Sequence, residues 1–219
     1  IASLGDATDF GDLNTSMVSH YSGNDKTRGI VGASESGNSN VIEYYTIQSL
    51  GDTVDFGDRA SGQYKYATGS VASTTRGLIM GGYDVPTAGT VNNIDFLTIS
   101  TLGNTQEFGD LTISGSSQGT ASNATRAIRM GRYPTNNVID FVTIATEGNA
   151  IDFGDMAVLN EYDGRSCTNP TRYVYQGGSS SDNVMQFVEI ATTGNTQDFG
   201  DLVVGRRSQA SISNGHGGL

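Results

Sequence analysis

One tetrapeptide recurs five times and dictates what this chain can fold into. Asp9-Phe10-Gly11-Asp12 returns as Asp55-Phe56-Gly57-Asp58, Glu107-Phe108-Gly109-Asp110, Asp152-Phe153-Gly154-Asp155 and Asp198-Phe199-Gly200-Asp201. The closing aspartates stand 46, 52, 45 and 46 residues apart. One motif at a period of about 45–50 residues marks a repeat architecture, whose units bury their faces only by packing on one another.

Each unit reads in four parts. Segment a follows the motif: Leu13–His20, Arg59–Gly69, Leu111–Ala121, Met156–Ser166 and Leu202–Ser211. It is rich in Ser, Thr and Ala with little periodicity, and is read as a strand. Segment b opens on Thr27-Arg28, Thr75-Arg76, Thr125-Arg126 or Thr171-Arg172 and continues as a short apolar run, with a glycine pair at Gly81-Gly82 and Gly177-Gly178. An apolar run bounded by glycine is a buried strand. Segment c (Val41–Ile47, Asn93–Ile99, Val138–Ile144, Val184–Ile190) is apolar on both faces apart from one polar position, held by Glu43, Asp95, Asp140 and Gln186. That pattern predicts a sheet covered on both sides. A Gly-Asn or Gly-Asp turn follows (Gly51-Asp52, Gly103-Asn104, Gly148-Asn149, Gly194-Asn195, with Gly5-Asp6 at the start), and segment d returns into the motif.

Thirty glycines against three prolines, and no unit with apolar residues at helical spacing, exclude the helical repeats of similar period. Four short antiparallel strands per unit predict the blade of a β-propeller. The expected fold is therefore all-β, one domain over 1–219. Its repeats are 13–58, 59–110, 111–155 and 156–201, and a fifth, closing blade is made from 202–219 with 1–12. The alternative is a window from a longer array. A net charge of −11 argues against nucleic-acid binding, which needs clustered Lys and Arg. Cys167 is alone, and no apolar run reaches the ~18–20 residues that span a bilayer, so no membrane insertion is expected.

A strand ending in a glycine pair, a strand with a mid-run aromatic and an aromatic closing the unit resemble the kelch repeat. The closing aromatic, usually Trp in kelch blades, is Phe here, and the glycine pair becomes Gly32-Ala33 and Gly131-Arg132 in two copies. The wording of the GN-x-x-DFGDL stretch is more similar to kelch-like repeats of marine phage and cyanophage virion structural proteins. That resemblance implies a virion or extracellular location, and a recognition or structural role in a tail fibre or baseplate. The implied partners are host surface glycans or other virion proteins. A secreted or periplasmic carbohydrate-binding propeller and a degenerate enzyme domain are the rival readings.

The residues themselves point away from catalysis. The two histidines, His20 and His216, have no nucleophile at a matching repeat position, and the carboxylates fall at scaffold positions. Triplets such as Asn149, Asp152 and Asp155 offer oxygens, but two carboxylates per copy fall short of the about six to eight ligands calcium takes. No metal or cofactor is expected. Arg28, Arg76, Arg126 and Arg172 are expected to clamp each blade by bonding the motif aspartates Asp12, Asp58, Asp110, Asp155 and Asp201. Ligand contacts are expected where the repeats differ, in loops holding Tyr83, Asp84, Arg132, Tyr133, Tyr162 and Asp163, because exposed tyrosine beside polar groups suits a sugar ring.

Overall fold

The computed structural model describes residues 6–17, 21–32, 40–60, 65–66, 69–84, 86–159, 165–178, 182–206 and 211. Among them are seventeen strands and no helix, in four antiparallel sheets, one per repeat. Sheet 1 holds β1 (Tyr21–Asn24), β2 (Arg28–Gly32), β3 (Val41–Thr46) and β4 (Val54–Asp58). Sheet 2 holds β5 (Lys65–Tyr66), β6 (Gly69–Ala72), β7 (Arg76–Asp84), β8 (Gly89–Thr98) and β9 (Gln106–Asp110), with β5 and β6 both on β7. Sheet 3 holds β10 (Gly119–Ser122), β11 (Arg126–Met130), β12 (Val138–Thr143) and β13 (Ile151–Asp155). Sheet 4 holds β14 (Arg165–Thr168), β15 (Arg172–Gln176), β16 (Val184–Glu189) and β17 (Gln197–Asp201).

Segments b, c and d form strands where the sequence predicts them. Segment a does not: its strand lies at the far end of the stretch, against segment b. What reads as a loop between a and b is a tight turn. Its first residue, Asp25, Asn123 or Asn169, accepts the N–H groups two and three residues on at 2.7–2.9 Å, and the Ser73 hydroxyl does so more weakly in sheet 2. A short polar side chain that bonds its own backbone in this way initiates a turn. Tyr21 is a buried residue of β1.

The repeated tetrapeptide encodes a β-bulge. In sheet 1 Ile42 faces Gly57 and Glu43 faces Asp55, so Phe56 has no residue opposite it, and the same register shift recurs in the other three sheets. A bulge bends the strand and re-aims its side chain. Here it turns the phenylalanine edge-on to the aromatic of segment c, at 6.1 Å (Tyr44–Phe56), 6.0 Å (Phe96–Phe108), 5.7 Å (Phe141–Phe153) and 5.9 Å (Phe187–Phe199). The first aspartate fixes the bend by accepting the glycine N–H through Oδ1.

Three cores lie between successive sheets. Ile30, Ile42 and Phe56 of sheet 1 meet Ile79, Leu97 and Ile99 of the second repeat. Leu78, Met80, Ile94, Phe96 and Phe108 meet Ala127, Val142 and Ile144. Ile128, Met130, Ile139, Phe141 and Phe153 meet Tyr173, Tyr175, Val188 and Ile190. Each such side chain contributes about 1.5–3 kcal/mol by leaving water. The front of one sheet thus covers the back of the next, as the two-sided apolar pattern of segment c requires. Phe10 and Phe199, at the two ends of the series, stay exposed at 38% and 48%.

Two sets of bonds tie the sheets together. At the outer edge each motif clasps the Gly-Asn or Gly-Asp turn of the following repeat. Gly103 N–H donates to Phe56 C=O, Thr105 N–H to Asp58 C=O, and Asp58 N–H to Asn104 Oδ1, at 2.9–3.0 Å. The set repeats at Phe10/Gly51, Phe108/Gly148 and Phe153/Gly194. At the inner edge hydroxyls bridge neighbouring a-strands: Ser70 Oγ donates to Ser22 C=O, Thr120 Oγ1 to Ser70 C=O and Ser166 Oγ to Thr120 C=O, each at 2.8 Å. The arrangement is compatible with sheets standing around an axis, and among the described residues no strand closes the four into a ring.

Candidate functional site

Three of the four Thr-Arg arginines clamp the next repeat, but not through the motif aspartates. Each guanidinium lies over the aromatic ring of its own segment c: Arg28 on Tyr44, Arg76 on Phe96, Arg126 on Phe141 and Arg172 on Phe187, at 4.3–4.8 Å. Three then donate Nη1 to the isoleucine carbonyl ending segment c of the next repeat: Arg28 to Ile99, Arg76 to Ile144 and Arg126 to Ile190. Arg172 pairs instead with Glu189, at 2.9 and 2.6 Å. The expected Arg–Asp clamp fails because the motif lies on strand d, two strands from strand b. Asp12, Asp58, Asp110 and Asp155 use backbone groups in the clasp, and Asp201 ends β17 as an exposed residue.

The sequence marks the polar position of segment c but not the partners that satisfy it. Glu43, Asp95, Asp140 and Gln186 are at most 2% exposed, and each is satisfied differently. Thr53 Oγ1 and Asn14 N–H donate to Glu43. Arg59 Nε bonds Asp95 at 2.5 Å. Arg129 Nη2 and Thr112 Oγ1 both reach Asp140. Gln186 accepts from the Thr196 hydroxyl and exchanges bonds with the Val158 backbone. A signal was available: Arg59 stands where other units have Leu13, Leu111, Met156 and Leu202, and Arg129 where they have Val31, Ile79 and Tyr175.

Where the repeats diverge most, the end of sheets 2 and 3 gathers several of the predicted ligand residues. The β7–β8 hairpin runs out to Asp84 and Gly89, with Tyr83 opposite Thr90. The chain between β9 and β10 crosses this end and stitches it. Gly82 N–H donates to Gly115 C=O at 2.8 Å, and Thr90 Oγ1 bonds Ser114 Oγ at 3.2 Å. Arg132 Nη1 donates to Ser114 C=O at 2.5 Å, and Ser116 and Tyr133 exchange backbone bonds. Gly81, at φ +56°, allows the close passage, since a Cβ there would stand 2.7 Å from Gly115 O. Tyr133 is exposed and Tyr83 half-buried. Asp84 and Arg132 are buried instead of exposed on loops: Asp84 accepts Thr87 Oγ1 at 2.5 Å, and Arg132 lies under the crossing chain. Tyr162 and Asp163 lie outside the described residues.

Burial lowers the pKa of both Arg129 and Arg132. Asp140 opposes this for each, and Arg129 pushes Arg132 lower still. Burial also drives the Tyr173 hydroxyl far above its ordinary range and pushes the half-buried Cys167 thiol upward. On the inner side, β1, β6, β10 and Thr168 line a cavity of about 560 Å³. Three of its hydroxyls, on Ser70, Thr120 and Ser122, bridge neighbouring a-strands. Among the described residues no three His, Cys, Asp or Glu side chains converge as a metal site. Among the described residues there is no helix long and apolar enough to cross a membrane. Comparison with known protein families and with characterised proteins returns no match.

Proposed function

We propose that this chain is a non-enzymatic recognition and structural module, a kelch-like β-propeller of the kind phage particles carry in tail fibres or baseplates. It contacts host surface glycans or other virion proteins through residues outside the repeated frame. The observation that carries this reading is the division of labour between repeated and unrepeated residues. The motif aspartates and the Thr-Arg arginines are spent on holding sheets together. Tyr83, Arg132 and Tyr133, which the frame does not need, gather on the segment running from Ser114 to Ser116. An exposed tyrosine edged by hydroxyls suits the apolar face and rim of a sugar ring.

The propeller has five sheets in this reading, the fifth built from 202–219 with 1–12. Bonds at both ends support it. Leu202 N–H donates to Asn183 C=O as Arg59 does to Asn40 and Leu111 to Asn92. Gly178 N–H donates to Arg206 C=O as Gly82 does to Gly115. At the other end, Phe10 and Asp12 hold the turn at Gly51 as each later motif holds the next. Such a closing sheet would cover the exposed Phe10 and Phe199 and remove an open edge.

Binding to a glycan array, lost in Tyr83→Ala and Tyr133→Ala, is the expected result. Capture of a purified tail protein with no sugar binding would support the structural half alone. Turnover of any bound glycan would overturn the non-enzymatic reading.

A further inference from the structure

We propose that the end of sheets 2 and 3 holds an anion site at Arg132, and that its ligand is an acidic saccharide bearing a carboxylate or sulfate. The sugar part rests on the recognition role above; the anion part does not. Arg129 and Arg132 are 0% and 6% exposed, and among the described residues the charges acting on Arg132 are Arg129 and Asp140. That carboxylate is already held by Arg129 Nη2 and the Thr112 hydroxyl. Arg132 forms no ion pair with it among the described residues. There its guanidinium bonds the Ser114 carbonyl through Nη1, and its buried Nε meets no partner. A carbonyl dipole does not neutralise a desolvated cation, and leaving such a charge uncompensated is costly.

The frame gives no reason for this charge. Arg132 stands where the equivalent repeats have the second glycine of the pair, Gly82 and Gly178. It is an addition to a position that folds without a side chain. Room for it comes from Gly115, where a Cβ would stand 2.7 Å from Arg132 Cδ. Arg132 lies nearer solvent than Arg129, next in the chain to the exposed Tyr133 and bonded to the segment that carries the Ser114 hydroxyl. A planar guanidinium fork takes an oxyanion through two parallel bonds. Tyr133 then offers its ring face to the sugar that carries the anion.

The test is an NMR titration of the whole chain, following the Arg132 Nε–H resonance. The probes are D-glucuronate and inorganic sulfate, against D-glucose and sodium chloride at equal ionic strength. Both anions should give saturable shifts, with glucuronate the tighter, and glucose should leave that resonance in place. Arg132→Gly, which restores the residue of the second and fourth repeats, should leave the amide spectrum of a folded chain and weaken both anions at least tenfold as read on neighbouring backbone amides. Tyr133→Ala should weaken glucuronate and spare sulfate. Equal anion affinity in Arg132→Gly, or no anion response in the parent, overturns the site. Neutral glycan binding without an anion response would do so while leaving the recognition role standing. Sulfate binding with no preference for glucuronate keeps the anion site and overturns the saccharide.

Discussion

Gly57 packs so closely on Gly103 of the following repeat that a Cβ on Gly57 would stand 2.5 Å from the Gly103 carbonyl oxygen. The same approach joins Gly11 to Gly51, Gly109 to Gly148 and Gly154 to Gly194. The motif glycine is thus demanded twice, by a positive φ and by the neighbouring backbone. This contact makes the tetrapeptide a device for joining repeats.

Substitution of these glycines should separate the two demands. Gly109→Ala meets backbone at 2.4 Å and has φ +151°, whereas Gly148→Ala has φ +153° and open space. The second variant should lose about 1–3 kcal/mol from backbone strain alone. The first should lose clearly more, at least about 3 kcal/mol, by opening the clasp. Urea unfolding of both variants measures the difference.

Arg126→Lys should cost about 1–2 kcal/mol, because lysine loses the planar stack on Phe141 and the Nη1 bond to the Ile190 carbonyl. Asp155→Asn should be close to neutral, since that residue clasps Asn195 and Thr196 through its backbone. Equal losses in the two variants would bring back the Arg–Asp clamp. Thermal melts at two salt concentrations make the comparison, with little salt dependence expected for the arginine.

Asp95→Asn should destabilise by about 3–5 kcal/mol, because it leaves the Arg59 guanidinium buried without its charge partner. Arg59→Leu with Asp95→Val restores the leucine found at this position in other repeats and should recover most of that loss. Chemical denaturation of the single and double variants gives the coupling directly.

Asp25 supplies the pH dependence of the first a–b turn. Burial raises its pKa, but hydrogen bonds from the Arg28 and Thr27 amides, the Thr27 hydroxyl and the charge of Arg28 outweigh this, and the net shift is downward. A carboxyl depressed by folding adds stability above its unfolded pKa of about 3.9, and that stability is lost as pH falls through the folded value. Asp25→Asn should keep the turn, as Asn123 and Asn169 do in their repeats. It should also flatten this contribution to the acid limb of a stability–pH curve below about pH 4.

Much of the architecture is readable from the chain because one face-to-face contact is written four times. The Ile42, Ile94, Ile139 and Met185 column and the recurring phenylalanines place strands c and d at once. Strand a is hidden because its alternation is Ser, Thr, Gly and Ala, whose contribution is hydroxyl bridges to the next sheet. Such bonds leave no hydrophobic period in one segment. The site was half visible: Tyr83, Arg132 and Tyr133 stand out as departures from the repeat. That Arg132 is buried over Arg129 depends on the crossing of residues 111–118, which no local pattern encodes. Arg59 and Arg129 escaped notice because a single charged residue in an apolar column matters only once its opposite acid is known to be buried.

Successive sheets clasp one another through the motif glycines, and the proposed circuit closes after five. A disulfide trap tests it most directly, with Asp6→Cys and Asp201→Cys in a Cys167→Ser background. In a closed ring Asp6 stands to Asp201 as Asp52 stands to Asp12, where the side chain accepts the backbone N–H at 3.0 Å. Mild oxidation of dilute protein should then give an intrachain disulfide in nearly every monomer, with a raised melting temperature. Free thiols after oxidation, or a ladder of interchain dimers and higher species, would contradict closure and point to an open array.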